Sequence, residues 1–535
     1  MQCSHNRLRK KGRKLTPSFQ SLDWLIIAGY IGVLIAIGIY FQRRDAANAK
    51  DYFLAGGQVP SWLAAISTIA TMQSAATFLG APDYGFRGDF TYLGTNIGTI
   101  LSALFVGLVL IPRFYKAKAN TVYELLNIRF GKGAMQAAGA MFLVGRVLAE
   151  GSRIYLAAIA VSMMTFGDVS MHGIIVSAFA IIFVSFIISF FGGLTSVMWT
   201  DLVLFFIYIG AAIGSFIYLL VLIPADYGAI IEGLRNTPEG INKLKLVDFS
   251  VDFSKPFSLL AILTGMFLLS TASFGLDQDI SQRLLASKDA KTGARSLYTA
   301  AILTLPIVCL FIAIGQLLYV FYSRADLMQG ATSIAPSGSF KGQNVTVFMY
   351  FILTQIPVGL KALATIGVLS AAISTVNSGL NSMSSVLIQD FYLPWREKRE
   401  SAKAHHYVDA GRIGMAIVGL FLFAMAVFSY VWQSSSDIPL LQFVLGVMTF
   451  AYAGLLGVYF TAIFTNRGST PSVIAALLVG FLSIFMMQPA IASALNYPQF
   501  WQTLAFPWQL CIGTLISFAV CMIGDDAKGK EAVSV

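Results

Sequence analysis

The sequence predicts an all-α polytopic membrane protein with about thirteen transmembrane helices. Hydrophobic residues make up 57% of the 535 positions and charged residues 12%, whereas soluble domains hold about 25% charged residues. The mean hydropathy is +0.73. Apolar runs of about 20 residues recur along the whole chain, and each is long enough to cross roughly 30 Å of hydrocarbon as a helix. Membrane β-strands would instead be alternating segments of about ten residues.

The predicted spans follow one another with short polar connections. Their approximate limits are 23–42, 60–80, 90–112, 134–166, 172–191, 197–223, 257–276, 297–323, 345–390, 411–433, 439–464, 471–493 and 504–524. The region 345–390 is long for one span, so we expect a short interfacial piece before Pro357 and one spanning helix after it. We expect a basic N-terminal tail (1–22), a single transmembrane domain (23–524) and a C-terminal tail (525–535).

Lys and Arg concentrate in alternate connections, which identifies those connections as cytoplasmic. This explains the net charge of +10 better than nucleic-acid binding does. It places the C-terminus inside and, with thirteen spans, the N-terminus outside, although the basic segment Arg7–Lys14 would prefer the cytoplasm. The first apolar segment is too long for a signal peptide. The sparse connections suit a bacterial inner membrane.

Chemistry-bearing side chains do not form a pattern typical of an enzyme. The four cysteines and four histidines are scattered, without metal or redox spacing. We find no nucleophile–base pair and no nucleotide-binding loop, so the chain is not expected to be an enzyme. No polar region is long enough for a sensory domain.

One predicted span carries a ladder of hydroxyl and amide groups, which we call the hydroxyl ladder. Its sequence is Ala-Ala-Ile-Ser-Thr-Val-Asn-Ser-Gly-Leu-Asn-Ser-Met-Ser-Ser over 371–385. Such groups cost free energy in a bilayer unless something binds them. Oxygen ligands suit a hard cation such as Na⁺. Alternatively, these side chains bond the carbonyl one turn back or allow close helix packing.

Several segments, in this order and spacing, resemble the sodium:solute symporter family, which includes sodium-coupled sugar, proline, pantothenate and sialic acid carriers. They are Asp51–Gly57 with Val59–Trp62, Tyr123–Leu126 with Arg129–Gly131, Gly192–Gly193 with Val197–Asp201, Asp277–Asp279 with Gln282–Arg283, and the hydroxyl ladder.

The resemblance implies the LeuT-type fold with two inverted five-helix repeats, here about 60–223 and 257–464. In that fold, broken helices lie at the membrane midplane and free backbone carbonyls hold sodium. The small and polar segment Ser67–Thr77 suits such a break. Its partner in the second repeat would be Leu269–Leu276.

The resemblance also implies the coupling ion and its ligands. Na⁺ would bind the backbone carbonyls of Ala70, Gln73 and Ala371 and the hydroxyls of Ser374 and Thr375.

Asp201, near the start of an apolar helix, has two interpretations. In some members of the family the matching carboxylate forms a second sodium site, whose other ligands here would be Ser374, Asn377 and Ser378. Asn377 stands where those members have Ser. Alternatively, Asp201 holds a cytoplasmic gate closed through an Arg or the backbone.

Arg146, Glu150 and Arg153 lie on one helical face. An isolated Arg in a membrane helix is costly, so each needs a carboxylate or a polar cavity. Either Glu150 neutralises Arg146 within the helix, or Arg146 clamps a substrate carboxylate through two parallel hydrogen bonds. Arg146 matches the position that binds the carboxylate in sialic acid carriers of the family.

Other predicted substrate ligands follow from the same resemblance. Ser74 and Thr77 match the hydroxyl positions that flank the carboxylate, and Asn96 stands where those carriers have Gln. Tyr92 is expected to gate or stack on the solute.

We therefore expect a sodium-coupled symporter of a small organic solute, with a carboxylated sugar such as sialic acid as the leading candidate. A neutral sugar, a monocarboxylate or an amino acid remains an alternative. So does a proton-coupled carrier of the same fold, in which Asp201 or Glu150 would relay the proton. The expected partners are an anionic solute, Na⁺ and the lipid bilayer, with no nucleic acid and no obligate protein partner.

Overall fold

The computed structural model of the chain describes residues 20–42, 49–329, 339–340, 343–344, 346–396, 404–434 and 440–524. Most of the predicted N-terminal tail and the whole predicted C-terminal tail lie outside these ranges. The first helix begins at Ser21, two residues before the predicted start of the transmembrane domain.

The fold consists almost entirely of helices. The long helices and the halves of bent helices are α1 (Ser21–Gln42), α2 (Ser61–Met72), α3 (Ala76–Arg87), α4 (Thr91–Lys116), α5 (Lys132–Thr165), α6 (Met171–Phe190), α7 (Gly193–Leu222), α8 (Leu259–Gly275), α9 (Gln278–Leu285), α10 (Ala290–Ser323), α11 (Leu360–Arg396), α12 (Ala404–Ser434), α13 (Leu440–Phe464), α14 (Thr470–Met486) and α15 (Phe506–Met522). Shorter helices in the connections are Ala49–Leu54, Glu124–Phe130, Tyr227–Arg235, Val347–Thr354, Pro489–Ala494 and Gln499–Gln502. Ser339–Phe340 and Gln343–Asn344 form a small antiparallel hairpin, with Ser339 opposite Asn344.

Nine helices in the described part of the chain are long and apolar enough to cross a membrane. The pairs α2–α3 and α8–α9 each pass the same test together, which brings the number to eleven. The apolar helices α14 and α15 have 17 residues each and lie where the last two spans are predicted. The predicted number of about thirteen spans is therefore reached only if these two short helices also cross.

Both predicted helix breaks are present. The axis turns by 59° between α2 and α3 and by 53° between α8 and α9. The first turn lies at residues 73–75, inside the predicted segment Ser67–Thr77, and the second follows Leu276. The region around Pro357 also divides as expected, because Val347–Thr354 is a short helix and α11 begins at Leu360.

Helix α11, which carries the hydroxyl ladder, lies at the centre of the molecule. In its most apolar stretch 89% of residues are buried inside the protein, compared with 28% in α1. Small residues allow neighbouring helices to approach it. A Cβ placed on Gly367 would stand 2.6 Å from the Cβ of Ala211 in α7 and 3.0 Å from the ring of Phe78 in α3. The polar groups of α11 therefore face other helices rather than lipid.

Candidate functional site

The break between α2 and α3 releases backbone carbonyls next to the hydroxyl ladder. Gln73 ends α2 with an extended backbone (φ −83°, ψ 118°), although its N–H still bonds the carbonyl of Ile69. Where a helix ends in this way, carbonyls of its last turn lack their usual helical partners. Four of the five predicted ligands of the main sodium site line one small cavity: Ala70, Gln73, Ala371 and Ser374.

The two predicted hydroxyl ligands of this site differ in their hydrogen bonds. The hydroxyl of Thr375 is buried and has no hydrogen-bond partner within the described ranges. Ser374 Oγ donates to Asp201 Oδ1 at 2.7 Å, which leaves its own lone pairs available. Buried hydroxyls are normally paired, so the Thr375 oxygen is available to bind a cation.

These neutral oxygens fit a sodium ion. Na⁺ needs several oxygen ligands but no cluster of charged or sulfur ligands. No group of three or more His, Cys, Asp or Glu in the described part of the chain could hold a metal. The donor set therefore suits an alkali cation better than a transition metal.

Asp201, on α7, joins α2, α9 and α11. Its Oδ2 accepts from Ser67 Oγ at 2.6 Å and from Arg283 Nη2 at 3.1 Å, and its Oδ1 accepts from Ser374. Arg283 and Asp201 are both fully buried. The guanidinium thus binds the carboxylate that was predicted either to bind sodium or to hold a gate.

Of the other predicted ligands of the second sodium site, Ser374 and Ser378 bond this ion pair. Ser378 Oγ bonds Thr71 Oγ1 at 3.2 Å and also accepts from Arg283 Nη2. Asn377 is fully buried, and neither atom of its amide group has a hydrogen-bond partner among the residues described. The structure therefore brings Ser374 and Ser378 to the ion pair of Asp201 and Arg283.

Arg146 lies in a buried ion-pair cluster. Its Nη1 donates to Asp277 Oδ2 at 2.8 Å, and its Nη2 pairs with both Asp279 and Glu150. Glu150 Oε1 also accepts from Arg153 Nη1 at 2.9 Å. Of the two interpretations of Arg146, the structure contains the pairing with Glu150 and adds two carboxylates to it.

The break between α8 and α9 places these carboxylates. Asp277 ends the break and caps α9 by accepting from the Asp279 N–H at 3.0 Å. Asp277 Oδ2 also accepts from Tyr452 Oη at 2.6 Å. One turn along α9, Arg283 Nη1 donates to Asp279 Oδ1 at 3.2 Å. A single network therefore runs from the arginines of α5 to Asp201.

With every carboxyl group ionised, this network would carry one excess negative charge. Its charged members are Arg146, Arg153, Arg283, Glu150, Asp201, Asp277 and Asp279. Three guanidinium groups thus face four carboxyl groups. Buried charges are costly when they are not compensated, so a bound cation or a proton would be stabilised here.

A larger cavity lies beside this network. It is lined by residues of both bent helix pairs and of α4, α5, α10 and α13. Its polar and charged lining residues are Thr71, Gln73, Thr77, Tyr92, Thr95, Asn96, Thr99, Arg146, Arg153, Ser270, Ser273, Asp279 and Thr304. Gln73 lines both this cavity and the small one at Ala371.

Four of the five predicted substrate ligands line this larger cavity: Thr77, Tyr92, Asn96 and Arg146. Asn96 Nδ2 donates to the carbonyl of Leu93 at 3.0 Å, within its own helix. Ser74 does not belong to the lining. It is buried in the break, where its carbonyl accepts from the N–H groups of Thr77 and Phe78 at 3.0 Å.

The sequence analysis did not identify Arg283, Asp277 or Asp279 as site residues, although it used them as family markers. One signal was available. Three charged residues that follow a predicted helix break at once are expensive in a membrane unless they pair with one another or with a nearby helix.

Comparisons with known proteins agree with the fold. The sequence profile of the sodium:solute symporter family matches residues 52–480. The sodium/sialic acid symporter SiaT of Proteus mirabilis is 25% identical over 87% of this chain and 89% of its own length. The sodium/sialic acid symporter NanT of Aliivibrio fischeri is 26% identical over 88% and 89%, respectively. A solved structure of a Na⁺-coupled sialic acid symporter, substrate-bound and outward-open, superposes with a TM-score of 0.79 at 24% identity, over 95% of this chain and 98% of the other.

Proposed function

Because the chain belongs to the sodium:solute symporter family, we propose that the solute it carries with Na⁺ is a carboxylated sugar such as sialic acid. The chain is an integral membrane transporter of the LeuT-type fold rather than an enzyme, and Na⁺ is its coupling ion. The proposal therefore concerns the identity of the solute, the residues that bind it and those that bind Na⁺. We place the protein in a bacterial inner membrane.

The cavity between the two bent helix pairs carries the proposal about the solute. It combines two guanidinium groups, Arg146 and Arg153, with neutral hydroxyl and amide groups. Guanidinium groups suit a carboxylate, and hydroxyl and amide groups suit the hydroxyls of a sugar. Both relatives described above are named as sialic acid symporters, which supports the same class of solute.

The proposed main sodium site consists of the carbonyls of Ala70, Gln73 and Ala371 and the hydroxyls of Ser374 and Thr375. The small cavity lined by four of these five residues supports this assignment most directly, and the buried Thr375 hydroxyl, without a hydrogen-bond partner in the described ranges, agrees with it. A bound ion would join the end of α2 to α11, and so stabilise the broken helix in one arrangement.

Gln73 provides a physical basis for coupling ion and solute. Gln73 lines both cavities, so an ion that fixes the Gln73 backbone also fixes one wall of the solute site. Coupling of this kind is reciprocal: Na⁺ strengthens solute binding by the factor by which the solute strengthens Na⁺ binding. Each net charge that moves inward with the solute gains about 2.3 kcal/mol per 100 mV of membrane potential.

We propose that Asp201, Asn377 and Ser378, together with Ser374, form a second cation site when the Arg283 guanidinium moves away. Asp201 Oδ2 and Ser378 Oγ both accept from that guanidinium in the structure. Sodium and Arg283 would therefore compete for the same oxygens.

Uptake into reconstituted vesicles tests the proposal. An inward Na⁺ gradient should drive accumulation of labelled sialic acid, and replacement of Na⁺ by choline at fixed pH should abolish it. Unlabelled glucose, lactate and proline serve as competitors. Accumulation that persists in choline and follows a proton gradient would support a proton-coupled carrier instead. Competition by one of the other solutes, with no accumulation of sialic acid, would refute the proposed solute.

A further inference from the structure

Two guanidinium groups of α5 face the large cavity. Arg146 and Arg153 are seven residues apart, about two helical turns, and both line the cavity. They lie at different distances from the carboxylates of α9. Their hydrogen bonds show which of the two is available to a ligand.

Arg146 is already committed to protein carboxylates. It pairs with Glu150, Asp277 and Asp279, and only 3% of its side chain is exposed. A substrate carboxylate at Arg146 would be the fourth around one guanidinium. It would have to break a buried ion pair or lie beside uncompensated negative charge, and both are unfavourable.

Arg153 has an unused hydrogen-bonding edge. Its Nη1 donates to Glu150 Oε1 at 2.9 Å, and the two groups form the one ion pair of this side chain within the described residues. Among the residues that the structure describes, its Nη2 donates to Met448 Sδ alone, at 3.1 Å, and a thioether is a weak acceptor. Its Nε is buried and has no hydrogen-bond partner in the part of the chain described.

The Nε–Nη2 edge of a guanidinium is a favourable shape for a carboxylate. The two N–H groups point in parallel and match the two oxygens of one ligand. Met448 covers this edge with a flexible, unbranched side chain that rotates at low cost. Tyr92 and Asn96 of α4 and Ser273 of α8 line the same cavity.

We propose that Arg153, rather than Arg146, receives the carboxylate of the transported solute, through its Nε and Nη2. The inference rests on the proposed function, because it presumes a carboxylated solute. Arg146 then serves as a positioning residue that holds α5 to α9 through Asp277 and Asp279. Glu150 bridges the two arginines and fixes the orientation of Arg153.

The test compares sialic acid with its carboxamide, which keeps the shape but lacks the charge. Sodium-dependent binding of both compounds is measured for the wild-type protein, Arg153→Gln and Arg146→Lys in detergent. Arg153→Gln should lose roughly 10- to 100-fold in affinity for the acid but little for the amide, so the preference for the acid disappears. Arg146→Lys should lower thermal stability and reduce the affinity for both compounds equally, which leaves the preference for the acid intact.

Arg235→Gln is a matched control, because this side chain is 59% exposed and pairs only loosely with Glu232 at 3.9 Å. It should retain both affinities. Sodium-dependent thermal stabilisation without solute shows whether Arg153→Gln is folded, and a variant that does not fold is replaced by Arg153→Lys. The lysine keeps the charge but not the paired edge, so it should retain only part of the preference.

The outcomes separate the two proposals. If the wild-type protein binds neither compound, the proposed solute is wrong and the role of Arg153 falls with it. If the wild-type protein prefers the acid and Arg153→Gln keeps that preference, the role of Arg153 alone is wrong. A preference that disappears in Arg146→Lys but persists in Arg153→Gln would return the carboxylate to Arg146.

Discussion

Replacement of Thr375 by Val should raise the stability of the sodium-free protein and weaken its response to sodium. Valine has nearly the same shape as threonine but lacks the hydroxyl. In the structure that hydroxyl is buried without a hydrogen-bond partner in the described ranges, and an unsatisfied polar group of this kind costs about 1–3 kcal/mol. Removing it relieves this cost when no ion is bound.

The same substitution removes one of five proposed ligands of Na⁺. If the lost contact is worth about 1.4 kcal/mol, the Kd for sodium rises about tenfold. At a sodium concentration 100 times the wild-type Kd, sodium stabilises the wild-type protein by about 2.7 kcal/mol and the variant by about 1.4 kcal/mol. The two effects have opposite signs, which a general loss of packing cannot produce.

Thermal unfolding in detergent, titrated with NaCl against choline chloride at constant ionic strength, measures both effects. Thr365→Val on the same helix is the control, since that hydroxyl donates to the carbonyl of Lys361 at 2.8 Å. It should lose stability equally with and without sodium. A full sodium response in Thr375→Val would show that Thr375 is not a ligand. A drop in the stability of its sodium-free form would show that the hydroxyl has a structural partner.

Three further predictions concern Ser374, Asp201 and Lys243. Ser374→Ala should reduce the sodium response more than Thr375→Val does, because it also removes the 2.7 Å bond to Asp201. Solute affinity should fall as a consequence. A fall in solute affinity with an unchanged sodium response would contradict the proposed main sodium site. Asp201→Asn should destabilise the protein by about 3–5 kcal/mol, because Arg283 loses a buried partner. It should also reduce the cooperativity with which sodium stimulates uptake. Unchanged cooperativity in a folded variant would exclude a second sodium site at Asp201. Burial lowers the pKa of Lys243 from 10.5 to about 8. The unfolded chain therefore binds this proton more tightly than the folded one, and stability should rise with pH between these two values. Thermal unfolding of Lys243→Met should show a smaller rise, and a pH profile identical to that of the wild-type protein would argue against the lowered pKa.

The ion pairs that Arg283 makes with two carboxylates have a consequence for transport. Arg283 forms ion pairs with both Asp201 and Asp279, so a change in charge at one carboxylate alters the electrostatic field at the other. Such a network is stable only when its polar groups are nearly all paired. A sodium ion at Asp201 would therefore favour a shift of Arg283 toward Asp279 and, through it, affect Arg146.

The sequence predicted the architecture well because hydropathy acts over one helix at a time. Each run of about 20 apolar residues identifies a span without knowledge of its neighbours. The break before Thr77 was also readable, since small and polar residues replace Leu and Ile there. The number of spans was less certain, because α14 and α15 are shorter than an ordinary span.

The site was predicted in part. The sequence pointed to Ala70, Gln73, Ala371 and Ser374, and the structure places all four around one cavity. The roles of these residues stay predictions, as do those of the substrate ligands. For Arg146 the sequence left two interpretations open, because Glu150 is the only carboxylate within reach of it along its own helix.

What the sequence determined by itself is the helical membrane fold, the family and the position of the oxygen-rich helix, since these depend on local composition and spacing. Only the tertiary structure decided which charges pair. Arg146 meets Asp277 across 131 residues of chain, and Arg283 meets Asp201 across 82. Buried charges bond whatever the packing of helices brings within about 3 Å, and no local pattern encodes that distance.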